Sequence, residues 1–268
     1  MLKVYLKKLF SSVGALHIIE KVNFQRQKFI NAKKNQQFLI KNPSIKMPPD
    51  YFMYETFALD YNKIYFGGLE TANWIINHLK KHITFSNKSI LDWGSGSGRV
   101  LRHIPNIIDD SNTVFGTDYN KEYTKWSKQN IKNVTIKKND LNPPLQFKDN
   151  FFNAIYGISI FTHLSEKMHH QWFKELHRVL KKDGVILLTT HGECFKGKLT
   201  KKEQKKFDSG KLIEHSYKKE GNRLYASYQN PIFIKELCKS NGFNILEHIE
   251  EGLRNNKPQQ DVWILQKK

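Results

Sequence analysis

The sequence predicts an α/β fold in which parallel strands form a doubly wound sheet with helices on both faces. Short apolar runs alternate with helical segments from Ser89 to His191, the pattern of repeated strand–helix units. The run "VILLTTH" near the end of this stretch is continuously apolar, as in strands buried on both faces. A glycine-rich turn, "GSGSG", separates the first apolar run from the helical segment that follows it.

The elements of this region follow from local patterns. Strands are predicted where short apolar runs end at turn residues, and helices where apolar residues recur at helical spacing. In chain order, the predicted strands are "SILDW", "NTVFGTD", "VTIKKNDL", "FFNAIYGISIF" and "VILLTTH", and the predicted helices are "GRVLRHIPNII", "NKEYTKWSKQNI" and "SEKMHHQWFKELHRVLKKDG". Ser165 is the expected N-cap of the last helix, and Gly184 is expected beyond its end.

An N-terminal helical extension is predicted for residues 1–48. A proline-rich segment, Asn42–Asp50, breaks the helical pattern and marks the end of the extension. The extension carries an apolar stripe at helical spacing, formed by Leu2, Leu6, Leu9, Val13 and Leu16, with lysines beside it. Such a stripe is explained either by docking on the protein itself or by contact of residues 1–20 with an anionic membrane.

Residues 49–268 are predicted to form one domain, with its core in residues 89–191 and 231–268. A further helix is expected from Glu70 to His82. Near the C-terminus, Asn230 is followed by a helical segment and then by two strands, "FNILEHIE" and "DVWILQK". The lysine-rich residues 192–230 interrupt the alternation at the predicted carboxyl edge of the sheet, where open α/β sheets bind ligands. This insertion is therefore expected to cover a substrate.

Composition narrows the function classes. The 268 residues contain 39% hydrophobic residues, enough for a core, and no apolar run long enough to span a membrane. The N-terminus does not have the pattern of a signal peptide, and Cys194 and Cys238 are too few for a disulfide framework, so a cytoplasmic location is expected. The formal charge of +19 is compatible with nucleic acid, anionic lipid or an acidic substrate. Because lysine greatly outnumbers arginine, nucleic acid is not favoured.

The stretch "ILDWGSGSGRVLRH", residues 90–103, raises the question of which ligand the glycine turn accepts. A dinucleotide fingerprint would need glycine where Arg99 stands. Asp92 precedes the turn, and a carboxylate there suits a ligand with a cationic amine and would repel a pyrophosphate. S-adenosylmethionine carries such an amine and no phosphate.

With these motifs, residues 89–191 resemble a class I S-adenosylmethionine-dependent methyltransferase of the small-molecule type, similar to methyltransferase types 11 and 12. The C-terminal tail is similar to the reversed sixth and seventh strands of that fold. The resemblance implies a Rossmann-like, seven-stranded sheet whose last strand is antiparallel. It also implies S-adenosylmethionine as cofactor.

The resemblance also implies roles for individual residues. Asp92 matches the acid that holds the methionine amine, Asp118 the acid that binds the ribose hydroxyls, and Asp140 the acid that contacts the adenine amino group. The remaining positions implied to line the cofactor site are Gly94, Ser95, Gly96, Gly98, Tyr119, Leu141, Ile158 and Ser159.

Two histidines are candidate catalytic residues. His163 follows the fourth predicted strand and His191 ends the fifth, so both lie at the ligand-binding edge. A hydroxyl acceptor needs a base, and histidine suits this role near neutral pH. Each is also compatible with a structural role in a loop. No acidic cluster follows the fourth strand, and no metal is predicted.

The predicted function is methyl transfer to a hydroxyl of a small or carrier-linked metabolite, such as a sugar in surface glycan or secondary-metabolite assembly. The choice of a sugar as acceptor comes from analogy with the enzymes that this chain resembles. Two alternatives stay open: an RNA methyltransferase, motivated by the charge, and a catalytically inactive regulator that binds S-adenosylmethionine.

Overall fold

The computed structural model describes residues 16–216 and 218–268. Its main sheet has seven strands in the order β3-β2-β1-β4-β5-β11-β8. The strands are β1 (Ser89–Trp93), β2 (Thr113–Asp118), β3 (Thr135–Lys138), β4 (Phe152–Gly157), β5 (Leu180–Thr190), β8 (Phe243–Ile249) and β11 (Asp261–Lys267). Strands β1 to β5 run parallel, and β11 is antiparallel to both β5 and β8. The predicted Rossmann-like sheet with its antiparallel last strand is confirmed.

Helices flank this sheet on both sides. They are α1 (Leu16–Lys41), α2 (Asp50–Thr56), α3 (Tyr61–Leu79), α4 (Lys121–Asn130), α5 (Glu166–Val179), α6 (Lys201–Asp208) and α7 (Pro231–Ser240). Short 3₁₀ helices span Leu101–Asn106, Phe161–His163 and Glu193–Lys198, and two hairpins are formed by β6 (Ile213–Ser216) with β7 (Tyr225–Tyr228) and β9 (Leu253–Arg254) with β10 (Lys257–Pro258). No described helix is both long and apolar enough to cross a membrane.

Hydrophobic residues on both faces of the sheet build the core. On one face, helices α5 and α7 pack Trp172, Phe173 and Leu237 against the strands. On the other face, α3 contributes Ile75 and Ile76 to a second cluster. Each fully buried side chain of this size stabilises the fold by about 1.5–3 kcal/mol. The parallel strands therefore have the two covered faces that such sheets require.

Three local predictions differ from the structure. The segment after the glycines forms a 3₁₀ helix that contains Pro105, because proline lacks the N–H that an α-helix needs. Helix α3 begins at Tyr61, well before Glu70, because the Asp60 side chain caps it by accepting from the Lys63 N–H at 3.2 Å. Helix α5 has the expected N-cap, but its end is at Val179, and the "KKDG" segment lies in β5.

The N-terminal extension packs directly on the rest of the chain. Helix α1 contacts α2 and α3 through aromatic residues: the ring of Phe24 lies 5.4 Å from the Tyr54 ring, and that of Phe38 lies 6.0 Å from the Tyr61 ring. Of the predicted stripe, Leu2 to Val13 lie outside the described residues. The division of the chain at residue 48 stays a prediction.

A buried acid in α5 anchors the connection between β3 and β4. The Glu175 carboxylate accepts from the Leu145 N–H at 2.7 Å and from the Arg178 guanidinium at 2.6 and 2.9 Å. Glu175→Ala leaves the buried Leu145 N–H without its partner and should lower the free energy of unfolding by about 1–3 kcal/mol. Chemical denaturation measures this loss. Lys174→Ala, at an exposed position of the same helix, is the control, and an equal loss in both variants would contradict the assignment.

Candidate functional site

A glycine loop, residues 94–98, follows β1 at the carboxyl edge of the sheet. Gly94, Gly96 and Gly98 have φ angles of +78°, +56° and +76°, which glycine adopts without the strain that a side chain would cause. The N–H groups of Gly94 and Ser95 donate to the Thr117 carbonyl at 2.9 and 2.8 Å. The loop is therefore held against the end of β2, next to the acid that follows Thr117.

That acid, Asp118, is buried at the carboxyl end of β2. Its carboxylate accepts from the Gly96 N–H and from the Asn120 N–H, both at 2.8 Å. Burial raises the pKa of Asp118 to about 6, and the two backbone hydrogen bonds act in the opposite direction. Each carboxylate oxygen keeps the capacity to accept a further hydrogen bond from a ligand.

Asp92 is a second buried acid, on the adjacent strand β1. Burial raises its pKa to about 7, whereas the neighbouring Tyr156 hydroxyl and Arg99 guanidinium favour its charged form. Arg99 is positioned by donating to the Thr71 hydroxyl at 3.1 Å and lies 4.4 Å above the centre of the Phe57 ring. A ligand cation beside Asp92 would stabilise its ionised form.

These acids lie on the wall of a cleft of about 440 Å³ at the carboxyl edge of the sheet. The cleft is lined by the glycine loop, by residues at the end of α2 and by the loop before β7, together with Asp92, Arg99, Asp118, Tyr119, Asn120, Tyr123, Ile158, Ser159, Ile160 and His163. A narrower, mostly apolar pocket of about 70 Å³ adjoins it and shares Gly94, Asp118, Tyr119, Ile160, His163 and Gly221 with the cleft. The structure thus brings most of the sequence-predicted site residues together.

Asp140 lies outside the cleft and the narrow pocket, in contrast to the position that the resemblance implies. Its side chain is 85% exposed and its carboxylate pairs with the Lys138 ammonium at 2.9 Å. Neighbouring residues of an extended chain point to opposite sides, and here Asn139 takes the inward position. Asn139 and Leu141 line the narrow pocket, and the Asn139 Oδ1 atom is buried without a hydrogen-bond partner among the described residues.

Ser159 and Tyr119 contribute to the wall of the cleft. Ser159 has a φ of +63°, and its hydroxyl donates to the Gln260 Oε1 atom at 2.9 Å, which also accepts from the Thr189 hydroxyl at 2.6 Å. The Tyr119 hydroxyl donates to the Gly221 carbonyl at 3.0 Å and so ties the insertion to the end of β2. Both contacts join strand ends to segments far away in the sequence.

His163 lies at the junction of the cleft and the narrow pocket. Its Nδ1–H donates to the Tyr225 carbonyl at 2.7 Å, because a carbonyl can only accept. Burial lowers the pKa of His163, so the ring is neutral at physiological pH. In this tautomer Nε2 carries a lone pair, and no described residue hydrogen-bonds to that atom.

His191 occupies a different cavity. Its Nδ1–H donates to the Ser227 carbonyl at 2.9 Å, and its ring stacks on the Phe195 ring with centroids 4.1 Å apart. Burial lowers the pKa of His191 to about 3. The second cavity, of about 660 Å³, shares Ile158 with the cleft and is also lined by Glu70, Thr71, Trp74, Thr189, His191, Phe195, Glu251, Arg254, Pro258, Gln259, Gln260 and Val262.

Sequence reasoning did not assign several residues of the site. Arg99 follows the glycine motif directly. Its identity excludes a dinucleotide fingerprint, but it does not by itself indicate that the side chain lines the cleft. Asn139 is next to the predicted Asp140, and only the pairing of β3 decides which of the two faces the pocket. Glu55 of α2, which accepts from the Tyr123 hydroxyl at 2.6 Å, carries no local signal. It reaches the cleft only through the packing of the N-terminal helices.

Comparison with known proteins identifies a methyltransferase domain in this chain. Residues 90–184 match the family model of a methyltransferase domain, a stretch that contains the glycine loop, both buried acids and His163. The chain therefore contains a methyltransferase domain, with the fold of class I S-adenosylmethionine-dependent methyltransferases. No curated protein sequence matches it significantly.

Solved structures of several methyltransferases share the fold of this chain. An S-adenosylmethionine-dependent methyltransferase from Methanosarcina mazei is 19% identical, with a TM-score of 0.54 over 70% of this chain and 96% of its own. One from Mesorhizobium loti is 12% identical, with a TM-score of 0.52 over 73% and 98%. The 1,6-didemethyltoxoflavin-N1-methyltransferase of Burkholderia thailandensis, with bound 1,6-didemethyltoxoflavin and S-adenosylhomocysteine, is 13% identical, with a TM-score of 0.54 over 75% and 78%.

The methyltransferase uses S-adenosylmethionine as its cofactor. The groups around the cleft fit this molecule. Two buried carboxylates suit its ammonium and its ribose hydroxyls, and the apolar pocket with an unpartnered amide oxygen suits a purine base with an exocyclic amino group. Among the described residues, no group of three or more side chains could hold a metal ion.

The raised pKa of Asp92 predicts that cofactor affinity depends on pH. A protonated Asp92 cannot pair with the cofactor ammonium, so binding needs the ionised form, which predominates above about pH 7. Affinity for S-adenosylmethionine should therefore fall by up to about tenfold per pH unit below pH 7. Calorimetry at several pH values measures this. Asp92→Asn should bind weakly and keep only the dependence due to Asp118, whose pKa lies near 6; an unchanged profile would refute the assignment.

Asn139 and Asp140 form a matched pair for locating the adenine contact. We expect Asn139→Ala to weaken S-adenosylmethionine binding about tenfold, because a hydrogen bond to a buried amide oxygen is lost. Asp140→Ala should leave affinity within about twofold, since its carboxylate is exposed to solvent. Calorimetry compares the two variants, and the reverse ranking would restore Asp140 to the site.

Proposed function

We propose that this methyltransferase transfers its methyl group to a hydroxyl of a small or carrier-linked, polyhydroxylated acceptor, with a sugar as the first candidate. The observation that carries the proposal is His163, which lines the cleft and whose Nε2 atom is left unprotonated because its Nδ1–H donates to the Tyr225 carbonyl. A hydroxyl is a poor nucleophile until a base removes its proton.

In the proposed reaction, the acceptor oxygen forms a bond to the methyl carbon as the carbon–sulfur bond breaks and its electron pair goes to sulfur. The hydroxyl proton moves to His163 Nε2, which gives an imidazolium. The Tyr225 carbonyl then faces a positively charged ring and stabilises it. Much of the remaining rate acceleration comes from holding the two reactants in line.

The geometry of the cleft supports a proposed role for each cofactor-binding residue. We assign the ammonium group to Asp92, the methionine carboxylate to Arg99, the ribose hydroxyls to Asp118 and the adenine amino group to Asn139. Further contacts are assigned to Gly94, Ser95, Gly96, Gly98, Tyr119, Leu141, Ile158 and Ser159. Asp140 has no role in this assignment.

The second cavity supports a sugar-like acceptor. It meets the cleft at Ile158, where a bound acceptor would approach the methyl group. Its wall combines the aromatic rings of Trp74 and Phe195 with the side-chain amides of Gln259 and Gln260. Aromatic faces pack against the apolar face of a pyranose ring, and amides donate to and accept from neighbouring hydroxyls. We place His191 in this wall, as a neutral contact for the acceptor.

The same cavity does not favour RNA as the acceptor. Its described lining has two carboxylates, Glu70 and Glu251, and one guanidinium, that of Arg254, which pairs with Glu251 at 3.6 Å. A phosphate backbone requires an excess of cations along its path. The charge of +19 is therefore carried by other surfaces.

We also propose a cytoplasmic location, because both cysteines are free thiols.

A screen with radiolabelled S-adenosylmethionine tests the acceptor class. The panel contains free sugars, nucleotide sugars, lipid-linked glycans, short RNA and small heterocyclic amines. The amines are included because the Burkholderia neighbour is named for methylation at a nitrogen. Label transfer to a hydroxyl compound supports the proposal, whereas transfer only to RNA or to an amine refutes it.

His163 should set the pH dependence of turnover. Because burial lowers its pKa, the neutral base is present at pH 7, and protonation removes it only below the ordinary value of 6.5. We expect His163→Gln to lower kcat by roughly 10²-fold with the accepted substrate and to remove the acidic limb of the kcat profile. Affinity for S-adenosylmethionine, measured by calorimetry, should hardly change.

The matched control is His170→Gln, which changes an exposed histidine of α5. It should leave both kcat and its pH profile unchanged. A His163→Gln variant that is folded, binds the cofactor and turns over normally would return His163 to a structural role.

A further inference from the structure

Among the described residues, helix α1 packs on the rest of the protein through one face. Phe24 and Phe38 pack against aromatic residues of α2 and α3, and the Asn35 side chain accepts from the Tyr61 N–H at 3.0 Å. Asn31, Asn35 and Phe38 are buried. These contacts fix the rotation of the helix about its axis, and so they decide which residues face outward.

The opposite side of α1 carries four exposed apolar side chains, and the exposed Gln25 and Gln36 lie on the same side. Ile18, Val22, Phe29 and Ile40 have exposed fractions of 64%, 61%, 86% and 72%. Their spacings of 4, 7 and 11 residues align them along one side of an α-helix, and Phe29 points about 160° away from the buried Asn31. No described residue covers this stripe. Helices of soluble proteins ordinarily place such a stripe against their own core.

Cations flank the stripe. Lys21 lies about 80° to one side of Phe29, and Arg26 and Lys33 lie about 40–60° to the other. The described helix has a single acid, Glu20, which is paired with Arg223. A second copy of the chain would bring like charges together, which disfavours self-association. RNA would be attracted by the cations but would leave the four apolar side chains without a function.

We propose that this outer face of α1 binds the surface of an anionic lipid bilayer. The apolar stripe would enter the boundary between head groups and acyl chains, and the flanking cations would pair with lipid phosphates. The proposal goes beyond the reaction proposed above and does not depend on the acceptor.

The position of α1 gives this contact a consequence for the enzyme. Its Glu20 pairs with Arg223, which lines the cofactor cleft, and α1 packs on α2, whose last residues line the same cleft. A bilayer on the outer face would therefore lie about one helix diameter, roughly 10 Å, from these elements. An acceptor held in the bilayer by a lipid would be concentrated near the cleft.

Vesicle flotation of the full chain tests the proposal. The vesicles are phosphatidylcholine alone or phosphatidylcholine with phosphatidylglycerol, at low and physiological salt. We expect binding to the anionic vesicles only, weakened by salt because the flanking charges are screened. The double variant Val22→Ser/Phe29→Ser should reduce vesicle partitioning about a hundredfold, since two large apolar side chains no longer enter the boundary.

Two matched controls separate this surface from general effects. Ile232→Ser/Leu253→Ser removes exposed apolar side chains away from α1 without changing the charge and should bind as the original chain does. Arg26→Gln/Lys33→Gln should weaken binding more than Lys128→Gln/Lys132→Gln, which removes the same charge elsewhere. Circular dichroism and cofactor calorimetry confirm that each variant is folded.

Two kinds of result would contradict membrane binding by this face of α1. No flotation with anionic vesicles, or flotation that the α1 double variant does not reduce, would overturn the proposal. A chain that is dimeric in analytical ultracentrifugation and becomes monomeric in the double variant would assign the stripe to a second copy. Since none of these readouts uses methyl transfer, failure here leaves the proposed reaction untouched.

Discussion

The site depends on two buried carboxylates that adjacent parallel strands bring to one edge of the sheet. Asp92 and Asp118 occupy the ends of β1 and β2, and burial raises the pKa of both. Their charge is partly balanced by the Gly96 N–H, the Asn120 N–H and the Arg99 guanidinium. The glycine loop thus has an electrostatic role as well as a steric one. Under the proposed assignment, the ammonium group of the cofactor would add positive charge next to Asp92.

Segments outside the sheet enclose this edge. The Tyr123 hydroxyl donates to Glu55 of the N-terminal helices, the Tyr119 hydroxyl donates to the Gly221 carbonyl, and Arg223 pairs with Glu20 of α1. The N-terminal extension and the insertion therefore meet over the cleft. The sheet carries the glycine loop and the two buried acids, and segments outside it form the walls of the cleft above them.

The high positive charge belongs to the surface rather than to the chemistry. The cleft contains buried acids, and the second cavity has carboxylates from two elements, although the formal charge of the chain is +19. The lysines of α1 and α6 instead face solvent. Net charge describes solubility and long-range attraction, whereas the chemistry of a site is set by the few groups that converge on it.

The sequence by itself determined the fold class, the order along the chain of the seven strands of the main sheet, and the acids at the ends of β1 and β2. These features are local: hydrophobic period, capping residues and glycine turns act over a few neighbouring residues. Tertiary structure alone decided that Asn139, and not Asp140, lines the narrow pocket, because the residues that follow β3 are oriented by its pairing with β2, where the Asn139 N–H donates to the Asp118 carbonyl at 3.1 Å. It also decided the protonated nitrogen of His163, since the carbonyl that fixes it comes from a hairpin in the insertion. Contacts between residues far apart in the chain carry no local pattern, so only the folded arrangement reveals them.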